Sequence, residues 1–494
     1  MEEKMTDQEQ ARFDKLARYQ EMGIDPFGQR YDWKDRICDV RAKYADMEAE
    51  ELAAKNVEVD VAGRLMAIRR MGKASFVNLK DEYGSIQAWL GRDVVGEESY
   101  NVFKLADLGD IVGLKGTLMK SHTGELTIRV TGYTHITKCL KPLPEKFHGL
   151  TDTEDRFRKR YLDLIVNDDS RRIAIMRPAI IKEVRRYCDD LGFVEVETPV
   201  LSPIAGGAAA RPFVTHHNAL DADLYLRIAT ELNLKRLIVG GFERVYEMGR
   251  VFRNEGMDVR HNPEFTSVEI YQAFGDYRDL IEITRGIVCA AAEAVNGTTK
   301  VTYQGVEIDL SNAPQLSMND AVKNKTGKDF LACETVDEAR ALADSIGVAY
   351  EKRFGIGGIL NAAFEAKVED DLIQPIFITH HPTEISPLAK KNPDDPRITD
   401  RFEFFVYGRE LANGFTELND PIDQRARFEE QLKAREAGDE EAHVMDEDFI
   451  RALEFGMPPT GGLGIGVDRL VMLLTDAPSI RDVLLFPTMK VIAE

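Results

Sequence analysis

The chain has 494 residues, 44% of them hydrophobic and 30% charged, enough for about three domains of roughly 150 residues and too apolar for a disordered chain. No apolar run approaches the ~18 residues of a membrane helix and the amino terminus lacks a secretory core, so the expectation is a cytoplasmic protein with no membrane partner. The net charge of −21 weighs against nucleic-acid binding by the chain as a whole, because phosphates are met by positive charge. Residues 61–140 stand apart, with 11 Lys plus Arg against 8 Asp plus Glu, which suggests a module with its own partner.

In chain order, residues 7–22 read as a charged helix ending near Gly23 and Pro26, and Met47–Lys55 as a second short one. From Asn56 the period changes: Val57, Val59 and Val61 alternate with Glu58 and Asp60, a strand signal. Further strands are expected at Ala74–Lys80, Ser85–Leu90, Ile111–Lys120 and Glu125–Thr134, with a helix near Ser99–Leu105. Five strands with a helix after the third fit an oligonucleotide-binding barrel. The expected domains are a helical segment at 1–55, the barrel at 56–140, a proline-containing linker at 141–160 and a larger domain at 161–494.

In the larger domain, Ile173–Leu191 has helical spacing and ends at Gly192, followed by a short strand, Phe193–Pro199. Tyr225–Ile228, Val245–Phe252, Glu264–Phe274 and Arg401–Leu411 read as strands, helices and loops fill about 318–397, and a glycine-rich strand, Gly461–Gly466, runs into a last helix. Antiparallel strands with helices grouped elsewhere predict an α+β fold. The five cysteines are scattered singly with no zinc-ligand spacing, which argues for reduced thiols.

The usual nucleotide signatures are missing: the chain has no GxxxxGK[ST] loop and no strand–GxGxxG–helix unit. The segment Phe252–Phe265 instead joins two strands through a polar loop holding two arginines, a histidine and several carboxylates. Arg253 offers a guanidinium fork for a phosphate, and Phe265 a face for a purine. Alone, the loop reads as readily as a charged hairpin tip in solvent. Glu403, Glu410 and Glu417 recur at seven-residue intervals among apolar strand residues, a costly placement unless a cation or hydrogen bonds compensate. Mg²⁺ takes one or two carboxylates plus phosphate oxygens, which Glu403 and Glu410 are suited to supply. Gly464-Ile-Gly-Val-Asp-Arg469 sets an arginine in the first helical turn after a strand with little side-chain bulk, where a ligand can lie against the backbone.

Phe252-Arg-Asn-Glu255 and Gly464–Arg469 resemble the second and third signature motifs of class II aminoacyl-tRNA synthetases, and 173–199 is similar to the first, which forms a dimer interface in that class. An amino-terminal oligonucleotide-binding barrel marks the lysyl, aspartyl and asparaginyl subgroup. Ala208–Leu220, Asn413–Asn419 and Arg156–Asp163 resemble its lysyl branch. The resemblance implies a homodimeric ligase that activates L-lysine with ATP and Mg²⁺ and charges tRNA(Lys). It implies that Arg253 holds the α-phosphate and the lysine carboxylate, with Phe265 and Arg469 on either side of the adenine. Glu255, His261, Asn262 and Glu410 then complete the ATP site, with Arg253 and Arg469 as catalytic residues and Glu403 and Glu410 on Mg²⁺. Gly207 and Glu231 fall to the α-amino group; Glu269, Tyr271 and Glu417 to the side-chain ammonium; Asn413 and Phe415 complete the pocket. Carboxylates and a phenol suit lysine, whereas aspartate needs a cation there. Thr230 and Asn233 stand where proline and an aromatic or histidine are often seen.

In the barrel, strand alternation turns Val77, Leu79, Ile86, Ala88 and Leu90 inward and leaves Phe76, Gln87 and Trp89 outside. An exposed aromatic beside an amide suits an unpaired base, stacked on Phe76 and hydrogen-bonded to Gln87. A lone surface phenylalanine is also ordinary. With the resemblance, anticodon reading is the expectation, with Arg64 and Lys115 as phosphate contacts.

Overall fold

Thr6 caps the first helix, Asp7–Glu21, through a reciprocal capping box with Glu9, which satisfies donors that every helix start leaves free. The structure, a computed structural model, describes residues 5–144, 150, 152–436 and 444–490. It divides into two compact units, 1–150 and 151–494.

In the first unit, strands β1 (Glu58–Met71), β2 (Ala74–Lys80), β3 (Ser85–Gly91), β4 (Ile111–Lys120) and β5 (Leu126–Thr137) close a barrel in the order β1-β2-β3-β5-β4. Burial alternates along β2 and β3: Val77, Leu79, Ile86, Ala88 and Leu90 fill the interior with Val61, Leu114, Ile128 and Val130. β1 runs well past the predicted Val57–Val61 alternation, because a bulge between Leu65 and Ala67 breaks the period. The helices Ile37–Tyr44 and Ala49–Lys55 add Ile37, Val40 and Leu52 to the same core. Within the expected linker, 145–149 and 151 lie outside the described residues. Its second half instead holds two helices, Thr153–Arg158 and Arg160–Val166. Buried Arg160 pairs with Asp163 at 2.7 Å and donates to the carbonyls of Arg481, Leu484 and Leu485, contacts between distant segments that no local pattern reveals.

The second unit is built on an eight-stranded sheet. From one edge its strands are Gln315–Ser317, Ile376–Thr379, Arg401–Phe405, Glu410–Thr416, Thr460–Gly466, Glu264–Ala273, Arg244–Phe252 and Val194–Glu195. All neighbours are antiparallel except the pair at each edge. The helices Asp168–Asp190, Tyr277–Asn296 and Val467–Thr475 share one core with the sheet, in which Ile180, Ile287 and Leu470 meet Tyr246, Val268, Ile270 and Ile465. Strand alternation then dictates that Phe265, Ser267, Glu269 and Tyr271 face the opposite side.

Two sequence expectations change here. The stretch 401–411 is not one strand; it folds back at Tyr407 and Gly408, with φ of 55° and 62°, the paired left-handed conformation of a tight hairpin turn. Strand Ile376–Thr379 inserts into the sheet from the stretch expected to be helices and loops, pairing with Gln315–Ser317. The helices Met318–Thr326, Val336–Ser345 and Ile356–Lys367 form a separate small core around Phe330, Leu360 and Phe364. Helix Tyr277–Asn296, unpredicted, packs along Asp168–Asp190, and a side chain at Gly286 would collide with the Tyr187 ring. Among the described residues, no helix is long and apolar enough to cross a membrane.

Candidate active site

The free face of the sheet floors a cavity of about 910 Å³. Its floor is open because Thr460–Gly466 brings almost no side chains to it. Gly464 lies between Glu269 and Asn413, and Gly462 between Tyr271 and Phe415. A Cβ at Gly462 would overlap the Glu417 carboxylate and the Tyr271 ring, so the closeness of these two groups depends on glycine.

At one end, the loop after strand Arg244–Phe252 is tied back by Arg253 N donating to Pro263 O at 2.8 Å. The Arg253 guanidinium lies 5.2 Å from the centre of the Phe265 ring. Among the described residues it forms no salt bridge, and burial lowers its pKa against the pull of Glu255, Glu410 and Glu269. This is a cation held in place with its charge largely unspent. His261 is fixed by Asp258 at 2.9 Å, and its Nε2 faces Arg469 at 3.5 Å. Asn262 donates to Glu264 O at 2.7 Å. Arg469 donates to Glu410 O at 2.6 Å and starts the last long helix, whose neighbouring Asp468 accepts from Thr266 N at 2.7 Å. Asp468 also pairs with Arg177 at 2.5 Å, so the arginine's helix is clamped to both the sheet and helix Asp168–Asp190.

At the other end the wall is anionic. Glu231, in the first turn of helix Glu231–Val239, and Glu417, at the end of strand Glu410–Thr416, are buried, as is Tyr271. Glu269 accepts from Thr230 N at 3.0 Å and from the Tyr271 hydroxyl at 3.2 Å. Its depth in the protein and the nearby Glu231 push its carboxyl up to about 7. Burial likewise raises the Glu417 carboxyl well above its usual range. Gly207 closes this end with a φ of 90°, a conformation natural to glycine. Every residue expected to meet ATP or lysine lines this one cavity, from Gly207 to Arg469.

Glu403 does not line it. It faces a smaller cavity of about 280 Å³ with Glu365, Glu369 and Arg401, and Glu410 borders both. Arg401 holds Glu403 at 2.6 Å. Burial and the charges of Glu365, Glu403 and Glu410 push Glu369 up to about 7, so negative charge is in surplus there. Among the described residues, no group of three His, Cys, Asp or Glu is arranged to hold a metal on its own. The carboxylates of Glu403 and Glu410 suit Mg²⁺, which takes one or two carboxylates and completes its shell with phosphate and water. Sequence reading missed Arg401 and Asp468, which line the cavity, and Lys235, buried behind it; only Lys235, four positions after Glu231 on a helix, left a legible spacing.

On the barrel, Arg69, Phe76, Trp89 and Arg129 form one outward cross-strand row. Gln87 sits one row away, donating to Glu125 at 3.0 Å and accepting from Thr127 at 2.9 Å. Arg64 donates to Gly109 O at 2.7 Å and Lys115 pairs with Asp60 at 3.2 Å, so both cations expected to meet phosphate have internal partners. Arg69 and Arg129, which flank the aromatic pair in this row, were not singled out from the sequence.

Residues 152–490 match the family described as tRNA synthetases class II (D, K and N), and 59–136 match the OB-fold nucleic acid binding domain. The chain is 56% identical over 489 residues to proteins named lysine–tRNA ligase in Bacillus thuringiensis (strain Al Hakam) and Bacillus subtilis (strain 168). In both cases the match covers 99% of this chain and 98% of the relative.

Proposed function

Because the chain belongs to the class II tRNA synthetases of the D, K and N group, we propose that it works as a lysine–tRNA ligase. It joins L-lysine to ATP as lysyl-adenylate, releases pyrophosphate, and passes the lysyl group to the 3′ end of tRNA(Lys). The observation that carries this reading is a single cavity with an arginine free of salt bridges at one end and three carboxylates, Glu231, Glu269 and Glu417, at the other.

The chemistry follows from those charges. The lysine carboxylate is already ionised, so no general base is needed. Its oxygen attacks the α-phosphorus, and the bond from that phosphorus to the pyrophosphate oxygen breaks. Arg253 holds both anions together and meets the charge that grows on the phosphoryl oxygens; a fixed cation is most effective where charge develops. Phe265 and Arg469 take the two faces of the adenine, while Glu255, His261 and Asn262 border the base and phosphates. Glu403 and Glu410 would hold Mg²⁺, which neutralises phosphate charge when bound. Glu231 and Gly207 receive the α-amino group, and Glu269, Tyr271 and Glu417 the side-chain ammonium, with Asn413 and Phe415 beside it.

In the barrel, Phe76 stacks an anticodon base and Gln87 reads its edge, while Arg64 stays on the Gly109 carbonyl. The chain acts in the cytoplasm as a homodimer through 173–199. Val194 there is exposed on the edge strand of the large sheet, next to exposed Val200 and Leu201, and an open apolar edge favours pairing. ATP–pyrophosphate exchange measured with each amino acid tests the reading: lysine alone is expected to support it, and exchange driven by aspartate or asparagine instead would overturn it.

A further inference from the structure

A lysine lies buried behind the anionic end of the cavity, in contact with two of its carboxylates. Lys235, on helix Glu231–Val239, has no solvent exposure. Its ammonium donates to Glu231 Oε1 at 2.5 Å and pairs with Glu417. The rings of Phe415 and Phe449 lie 5.6 and 5.9 Å away. Apart from this ammonium, no donor reaches either carboxylate oxygen of Glu417 among the described residues. Glu231 and Glu417 are the carboxylates assigned to the two ammonium groups of the substrate, so one resident cation touches the receptors for both.

We infer that Lys235 is a positioning and specificity residue: it clamps Glu231 and Glu417 for the substrate and offsets one negative charge of the carboxylate cluster. The inference rests on the lysine reading given above. When all are ionised, Glu231, Glu269 and Glu417 carry three negative charges, and Lys235 offsets one. Free lysine brings two ammonium groups, while its carboxylate falls to Arg253. Crowded buried carboxylates without a cation take up protons, since like charges and burial both favour the neutral form. Each proton taken up costs the substrate an ionised acceptor. Lys235 opposes this on Glu417, where its charge acts against the upward push of burial and of Glu231 and Glu269. The charged groups facing this ammonium are Glu231 on its own helix and Glu417 at a strand end; Glu417 also faces Glu231 and Glu269, and Tyr271 on the neighbouring strand faces all three carboxylates. A purely structural role is a poor account, because a buried ion pair is commonly matched in stability by apolar packing.

Lys235→Met keeps the stem and removes the charge. In lysine-dependent exchange at pH 7, kcat/KM for lysine is expected to fall about tenfold or more, and its rise with pH to move about one unit or more toward alkaline pH. KM for ATP is expected to stay unchanged. A uniform loss with an unmoved pH profile, or no loss, would overturn the inference. If Lys235→Met does not fold, Lys235→Met combined with Glu417→Gln, which removes one charge of each sign, carries the test. Its lysine affinity is expected to be weak but its pH profile unshifted, and an alkaline shift of the double variant would overturn the inference. If the unaltered protein uses another amino acid in exchange, the lysine reading itself has failed, an outcome distinct from any of these.

Discussion

The two ends of the large cavity differ in how their charges are kept. At the lysine end the groups are buried, or half-buried in the case of Glu269, and joined to one another: Lys235 to Glu231 and Glu417, Glu269 to Tyr271 and the Thr230 amide. At the nucleotide end, Glu255 and His261 are exposed, and Arg253 has no salt bridge among the described residues. One end is assembled before any ligand arrives, whereas the other holds a cation that the proposed function assigns to phosphate. The difference suits the proposed reaction. Amino-acid selection needs a low-dielectric pocket whose charges are matched in advance, and phosphoryl chemistry needs a fixed cation whose charge is spent only on the reacting groups.

The largest expected effect breaks the nucleotide end. Arg253→Ala is expected to lower ATP–pyrophosphate exchange by ~10²–10³-fold, the scale of losing a key charge-stabilising donor. Thermal unfolding is expected to show no loss of stability, because the guanidinium has no salt-bridge partner to strand. Equal loss of stability and activity would mean that Arg253 is a structural part of the hairpin.

How much of this was legible in the sequence follows the same division. Local patterns revealed the strand Glu264–Phe274 that carries Glu269 and Tyr271, the loop holding Arg253, and the glycine strand before Arg469. They also revealed the barrel, where period-two burial runs through β2 and β3. What stayed hidden depends on partners far apart in the chain. Asp468 is meaningful only through Thr266 and Arg177, Arg401 through Glu403 and the Ile385 carbonyl, and Lys235 through Glu417. The turn at Tyr407-Gly408 was read through as strand because the flanking residues keep a strand composition; only the positive φ at both positions discloses the reversal. The cations named for the barrel, Arg64 and Lys115, met internal partners, which no strand pattern can foretell.

A smaller effect sharpens the contrast by leaving both ends untouched. Phe76→Ala, on the barrel, is expected to leave lysine-dependent exchange unchanged and to raise KM for tRNA about tenfold, the scale of one lost base stack. An unchanged charging rate at limiting tRNA would remove Phe76 from anticodon reading.

The central claim is that the lysine end is a preformed anionic site, and its charge state makes that measurable. Glu269 is pushed up to about 7 by burial and Glu231. Because its folded value lies above the unfolded one, its contribution to stability is full at low pH and lost as pH rises through about 7 in the empty protein. An arriving ammonium reverses the preference and favours the ionised form. Calorimetric titration of lysine into the nucleotide-free protein at pH 7 is therefore predicted to show binding without ATP and release of roughly half a proton. The affinity is predicted to weaken by about tenfold per unit as pH falls below 7. Lysine binding only when ATP is present, or an affinity and proton count that stay flat between about pH 6 and 8, would contradict the account.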